Sequence, residues 1–493
     1  MISAFIPNTE QRDRGVRLTR REILAATLAS ASLWGKQAPG IQQATGVKIG
    51  EITPNGAVIW ARHTLAVTRL DDGIRRRGHA PNASVLKPGD DVHKLEGAAP
   101  GAPGAMRVIA EPGTGRGRKI TTRWVEIGAQ TDFSHMFRLE GLLPSTPYRF
   151  AVETRSSSKS REGALTGAFR TAPAANEAAA VHFALSSCQI YCRQDRPDGY
   201  HIYEAIQKLA PQFLLSCGDN VYYDSEDPIA NSITVARYHW QRMYSLPTLV
   251  NCLRTVPGYW QKDDHDVYSD DSWPGRAVAK QAPFNYEEGA TIFREQTPSP
   301  LKGQPMFRRF RWGRELEIWL PDSRDYRSPN TDPDGPNKTI WGAEQKKWLK
   351  DTMTNSDATW KLMINPNPIV GPDHARKNDN HANPAFAHEG REFRQWLKDN
   401  VPGRVIVMNG DRHWQYHSVD PATGLHEWGC GPASDEHAVP PSRGEDKQYH
   451  RFLRIKGGFV SVQLNPADAE NNLVFEHRDV HGNVVHRHVY RKG

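Results

Sequence analysis

Short apolar runs, each closed by a polar stretch, recur along this chain from about residue 180 onward. Phe183-Ala184-Leu185, Phe213-Leu214-Leu215, Val256 to Trp260, Leu316 to Leu320, Lys361 to Ile364 and Val405-Ile406-Val407-Met408 are the clearest. Runs this short and this uniformly apolar predict strands buried on both faces. Between them the period changes. Tyr200 to Leu209 places Ile202, Ala205, Ile206 and Leu209 on one helical face, and Ile229 to Leu246, Ala343 to Met353 and Glu389 to Leu397 read the same way. Past His413 the pattern returns to strands over Trp414 to Val419, Gly457 to Gln463, Leu473 to Arg478 and Val484 to Arg491. Strands alternating with helices predict an α/β domain with a mixed sheet, built as two sheets packed together.

The part before it predicts a different architecture. From about 45 to 173 there is no long helical pattern. Val47 to Ile52 and Ala57 to Ala61 read as strands about the turn Pro54-Asn55-Gly56, and Ser134 to Val152 as two alternating strands about a proline-containing turn. Phe169 to Pro173 closes the set, while 66–120, rich in Gly, Pro, Arg and Asp, reads as long loops or an insertion. The set resembles a fibronectin type III module, a small antiparallel β-sandwich. Thr171 to Ala180, rich in Ala and Pro, reads as a linker. At the start, Thr19-Arg20-Arg21-Glu22-Ile23-Leu24 opens a weakly apolar stretch to Trp34 and resembles a twin-arginine export signal. The expected division is therefore an export signal over 1–38, a fibronectin-III-like sandwich over 42–173 and the α/β domain over 178–493. The expected location is periplasmic or extracellular, reached through the twin-arginine export machinery.

Composition narrows the class. With 38% hydrophobic and 24% charged residues the chain is of the globular kind, and no stretch approaches the roughly 18 consecutive apolar residues of a membrane span. Stable membrane insertion is not expected. The formal charge of +7 is small for 493 residues and lies partly in the N-terminal segment, which suits anionic substrates and gives no nucleic-acid stripe. Five cysteines, odd in number and without paired C-x-x-C spacing, argue against a disulfide framework or a zinc ribbon. In an exported protein, Cys192 and Cys252 are the first pair to test for a bridge.

The polar stretches that close the apolar runs carry the candidate chemistry. They are Ser187-Cys188-Gln189, Gly218-Asp219-Asn220-Val221-Tyr222, Asp263-Asp264-His265-Asp266, Asp322-Ser323-Arg324-Asp325-Tyr326-Arg327 and Gly410-Asp411-Arg412-His413. Ligand sites of α/β proteins gather at the carboxyl ends of strands, where these stretches fall. Asp219 has two oxygens with which to bridge cations, and Tyr222, three residues on, brings a phenolate suited to a hard trivalent ion. Cys188 offers a thiolate. Three carboxylates and an imidazole within Asp263 to Asp266 are costly unless cations neutralise them. Asp411 and His413, two apart, share one side of an extended segment. Asn365, Asn367, His374, Asn380 and His381 form a further polar cluster, and His437 stands near Asp435 and Glu436.

Taken in order, S-C-Q, G-D-x-x-Y, D-D-H-D, D-S-R-D-Y-R and G-D-R-H-W resemble the PhoD-type alkaline phosphatases, a branch of the calcineurin-like metallophosphoesterases. The resemblance covers the leader, the sandwich and the larger domain, and it implies a two-sheet αββα fold. It also implies a ferric ion on Cys188, Asp219, Tyr222 and His413, with Asp219 bridging to a Ca(II) site shared with Asp411 and a member of the Asp263–Asp266 cluster. Asp264 falls where metallophosphoesterases at large carry the Asn of G-N-H-D/E, and His265 matches the imidazole that meets the leaving group. The opening D-x-H is absent and G-H-x-H is replaced by G-D-R-H; both departures agree with this branch. The implied reaction is hydrolysis of a phosphate mono- or diester by a metal-activated hydroxide. His265 would serve as acid, and Arg324 or Arg327 would clamp non-bridging oxygens. A purple-acid-phosphatase-like enzyme would need the two missing motifs. Sequence does not divide monoesterase from diesterase or phospholipase on this fold, and a degenerate secreted binding protein is the alternative from another class.

Overall fold

Alternating burial along the central strands sets the layers. The computed structural model describes residues 42–492 apart from 114, 157–162, 375, 443 and 468–471, so the expected export signal lies outside the described residues. In the strand Val181–Ser186, Phe183 and Leu185 face the other sheet while Ala184 faces helices. Leu316–Leu320 does the same with Ile318 inward and Trp319 outward, and Arg404–Asn409 with Ile406 and Met408 inward and Val407 outward. Period-two alternation of large apolar groups thus gives each sheet two greasy faces. Burial of each such side chain contributes roughly 1.5–3 kcal/mol.

Two sheets meet across the shared core. A nine-stranded sheet runs Val484–Tyr490, Leu473–Arg478, Phe459–Leu464, Val181–Ser186, Phe213–Cys217, Gly258–Gln261, Val47–Gly50, Gly56–Arg62, Ser134–Glu140. A seven-stranded sheet runs Arg308–Trp312, Leu316–Leu320, Trp360–Ile364, Arg404–Asn409, His426–Cys430, Gln415–Val419, His450–Arg454. The centres of both are parallel and their outer strands antiparallel. The helices His201–Leu209, Ile233–Tyr244, Pro247–Leu253 and Tyr286–Gln296 cover the first sheet, and Gly342–Thr354 with Ala387–Asn400 cover the second. The order helix, sheet, sheet, helix is the αββα arrangement.

The N-terminal strands join this body directly. Residues 38–493 form one compact unit. Val47–Gly50 pairs in parallel with Gly258–Gln261, and Tyr259 donates its hydroxyl to the Ile52 carbonyl at 2.6 Å, so the first sheet continues into the region expected to stand apart. A five-stranded sheet of Ile120–Thr121, Gly104–Pro112, Pro147–Arg155, Gly163–Arg170 and Val125–Ile127 packs against those strands. The reading of 66–120 as loops holds over 66–103 and is corrected at Gly104–Pro112. Met106, Val108 and Ala110 alternate inward along a long strand, their small contrast with Arg107 and the flanking Gly and Pro having hidden the period. All five cysteines are free, Cys192 and Cys252 included. Among the described residues no helix is long and apolar enough to cross a membrane.

Candidate metal centre

The carboxyl ends of the parallel strands in both sheets come together at one edge of the core. Val181–Ser186 leads to Cys188, Phe213–Cys217 to Asp219 and Tyr222, Gly258–Gln261 to Asp263–Asp266, and Arg404–Asn409 to Asp411 and His413. The turns are tight. Cys188, Asp219 and Asp411 lie in the left-handed region, at φ of +54°, +54° and +61°. That conformation is disfavoured by about 1 kcal/mol or more for residues with a Cβ. Two glycines let the turns approach. Gly218 has φ +83°, and a Cβ there would stand 2.6 Å from the Asp263 Cβ. A Cβ on Gly410 would stand 2.1 Å from the Ser187 Oγ and 2.5 Å from the Cys217 carbonyl oxygen, at the point where the two sheets touch.

Four of the expected residues converge. Cys188 Sγ lies 3.4 Å from Asp219 Oδ2, which also accepts the Tyr222 hydroxyl at 3.1 Å; that hydroxyl is 3.5 Å from His413 Nε2. Donor atoms of Cys188, Asp219 and His413 fall within 4.8 Å of one another, as do those of Asp219, Asp264 and His265, and of Asp264, Asp270 and Asp271. Asp219 therefore belongs to two adjoining groups. Its Oδ1 is buried without a hydrogen-bond partner, and so is Oδ1 of Asn367, whose Nδ2 reaches Asp263 at 3.1 Å and Asp411 at 3.4 Å.

The electrostatics describe a site short of positive charge. Burial, reinforced by His265-offset repulsion from Asp264 and Asp263, pushes Asp219 well above the usual carboxylate range. Burial likewise lifts Asp263 to about 8 against the pull of Arg324, and Asp411 to about 6 against that of Arg412. Burial, then the neighbouring Asp219, raises Cys188 and Tyr222. Burial and the adjoining His437 ring, 3.9 Å away, keep His413 neutral. A thiol, a phenol, a neutral imidazole and crowded carboxylates with orphaned oxygens form the donor set that transition and hard cations take. The residues present fit such ions.

Some expected residues take other parts. Arg324 has no exposure: its Nε is bonded to Asp263 and its Nη1 donates to the Ser272 carbonyl at 3.2 Å. Arg327 donates to Asn330 Oδ1 at 2.8 Å and to the Asp379 carbonyl. Each guanidinium keeps one buried nitrogen without a hydrogen-bond partner, Nη2 of Arg324 and Nε of Arg327, while its other contacts lie within the wall of the site. Asp322 and Asp325, from the same stretch, hold Lys262. Asp411 lies outside the three donor groups, its Oδ2 held by Arg412 and Asn367. Asp266 is a brace: it accepts from the backbone of Asn220 at 2.7 Å, Val221 at 3.2 Å and Asp263 at 2.9 Å, tying two site turns together. Of the Asn/His cluster only Asn367 reaches the site. His381 is bonded to Glu389, and His374 accepts from the Ser442 backbone.

Other residues were missed. Asp224 holds His265 Nδ1 at 2.6 Å and is found two residues past Tyr222 on the same turn, the signal that spacing offered. Burial opposes a charged His265, yet Asp224 and Asp264 raise its pKa well above the ordinary imidazole value. Lys377 pairs with Asp270 at 2.9 Å and with Asp271 from a loop whose sequence gave no sign of it.

Comparison with known proteins accords with this geometry. Alkaline phosphatase D of Bacillus subtilis (strain 168) is 23% identical over 351 residues, which cover 61% of this chain and 57% of that protein's length. The solved structure of PhoD superposes with a TM-score of 0.71 at 16% identity, covering 93% of this chain and 92% of that one. A purple acid phosphatase from yellow lupin (Lupinus luteus) seeds shares the fold at a TM-score of 0.61 and 12% identity, over 90% of this chain and 73% of that one. The model of the PhoD-like phosphatase family matches residues 183–450, more than half of the chain and the whole run of site turns from Cys188 to His437. The chain belongs to the PhoD-like phosphatase family.

Proposed function

We propose that this protein is an exported metal-dependent phosphoesterase that hydrolyses phosphate esters in the manner of an alkaline phosphatase D. The observation that carries the reading is the meeting of Cys188, Asp219, Tyr222 and His413 at the shared end of two sheets, with Asp264 and His265 adjoining through Asp219. In this reading Cys188, Asp219, Tyr222 and His413 would hold Fe(III), and Asp219, Asp264 and Asp411 would hold Ca(II). The ions supply charge neutralisation of the ester and an activated water. The chain's own residues do the rest. Asp224 fixes His265 through Nδ1, leaving the other ring nitrogen to give a proton to the departing alkoxide. Lys377, partly exposed and ion-paired with Asp270 and Asp271, would be the cation that meets the ester's oxygens. Arg324 and Arg412 keep Asp263 and Asp411 in position. Export is supported by the twin-arginine-like sequence before residue 38.

Metal analysis and the visible spectrum of the purified protein test this, together with turnover of p-nitrophenyl phosphate and bis-p-nitrophenyl phosphate at alkaline pH. The expected result is bound iron, a tyrosinate-to-iron band that Tyr222→Phe removes, and hydrolysis whose preference between the two esters divides monoesterase from diesterase. A colourless protein without iron and without turnover would sink the reading, and full iron occupancy in Cys188→Ala would remove the thiol from it.

A further inference from the structure

A second set of donor atoms lies at the other end of the core, in the seam where the last strand of the first sheet crosses the second. The strand Gln415–Val419 brings His417, its neighbour His426–Cys430 brings His426, and the edge strand Val484–Tyr490 brings Tyr490. His426 is level with Ile406 in the strand register, toward the amino-terminal end of Arg404–Asn409, whereas Asp411 and His413 follow its carboxyl end. The seam is thus distinct from the site described above.

His417 Nε2 and His426 Nδ1 are 2.9 Å apart, and the Tyr490 oxygen is 3.0 Å from the latter and 3.5 Å from the former. Two donors on a tetrahedral ion at about 2.0–2.1 Å are separated by about 3.3 Å, so the triangle has the size of one face of such a shell. The His488 ring stands 4.5 Å from that of Tyr490 and 5.1 Å from that of His417. Outer contacts orient the set: Trp428 Nε1 donates to the Tyr490 oxygen at 2.8 Å, and His417 Nδ1 lies 3.3 Å from His486 Nε2. Such partners are what fix ligating imidazoles. Tyr490 and His417 are buried and His426 is partly exposed, which gives an ion a way in.

We propose that His417, His426 and Tyr490 bind a divalent transition-metal ion of the zinc class. No carboxylate belongs to the triangle, and the Arg404 guanidinium lies 5.5 Å from the Tyr490 ring centre. Two neutral imidazoles and one phenolate would hold the ion, a nitrogen-rich set that selects imidazole-seeking metals over Ca(II) or Mg(II). As the ion enters, the proton on His417 Nε2 is replaced by one on Nδ1, which His486 Nε2 accepts, and Tyr490 releases its phenolic proton to solvent. The bound ion ties the two sheets together.

The test uses the full chain, stripped of metal and titrated with Zn(II) alone. The wild type is expected to bind one equivalent more than His426→Ala or Tyr490→Phe, and its thermal midpoint to rise with zinc by an increment that both variants lack. Turnover of p-nitrophenyl phosphate, restored with iron and calcium, is expected to stay within twofold of wild type in both variants. Equal zinc stoichiometry and affinity in wild type and both variants would overturn the proposal. So would variants that melt lower than wild type by the same amount with and without zinc, since that marks a packing role only.

Discussion

Asp219 stands in a left-handed backbone conformation, fully buried, with one oxygen unpartnered and other acids close by. Each of these opposes folding when no cation is present. Replacing the carboxylate by an amide keeps the shape and removes the buried charge, and asparagine is among the residues that tolerate left-handed φ best. Asp219→Asn is therefore expected to stabilise the metal-free protein by about 1–3 kcal/mol while abolishing phosphoesterase turnover. Urea unfolding of the stripped protein, followed beside the ester assays, checks both halves. A variant that is less stable when stripped would show that the carboxylate is satisfied by means other than a cation. At this scale the sequence was legible where the donors are local: Asp219 and Tyr222 share a turn, and Asp264 and His265 are neighbours. It was not legible where the partner is distant. Nothing near Arg324 points to Asp263, 61 positions away in chain and delivered by the other sheet.

Strands and turns were easier to read than their junctions. The runs about Phe183, Phe213, Ile318, Leu362 and Ile406 are apolar on both faces because helices cover one side and a second sheet the other, so composition alone marked them. Gly104–Pro112 escaped because its inward residues, Met106, Val108 and Ala110, sit among glycine, proline and arginine that mimic a loop. The place where the turns meet is the more sensitive element. At Gly410 a methyl group would press on Ser187 Oγ and on the fixed carbonyl of Cys217. Gly410→Ala is expected to cost about 1–3 kcal/mol and to weaken metal retention, because the ends of the two sheets must part to admit it. Thermal melts and metal content after dialysis measure the two effects, and an unchanged protein would mean that the sheet ends have slack.

Over the whole molecule, acid is a predicted weakness away from the metal centre. Burial, then Arg478, lowers His182 to about 4, and burial lowers His477 to about 3. Their folded values lie below the roughly 6.5 of an exposed imidazole. As pH falls, the unfolded chain takes up these protons first. Stability is thus fully present above about 6.5, falls by about 1.4 kcal/mol per unit for each such group, and levels off once the folded values are passed. Urea midpoints between pH 7 and 4 should decline, and His182→Phe should flatten the decline by roughly one proton's worth. An identical slope in wild type and variant would remove His182 from the account. The same histidines sit in a sheet whose order bears on how the chain is made. Val181–Ser186, at the middle of the first sheet, has Phe459–Leu464 as its neighbour, with Val460 opposite Leu185. A ribosome releases that partner only after every turn of the metal centre, so the central strand waits with one edge unpaired while all of those turns emerge. A nonsense codon before Phe459, even one beyond every residue of the metal centre, would leave that edge open for good and send the product to aggregation and proteolysis rather than to a shortened enzyme.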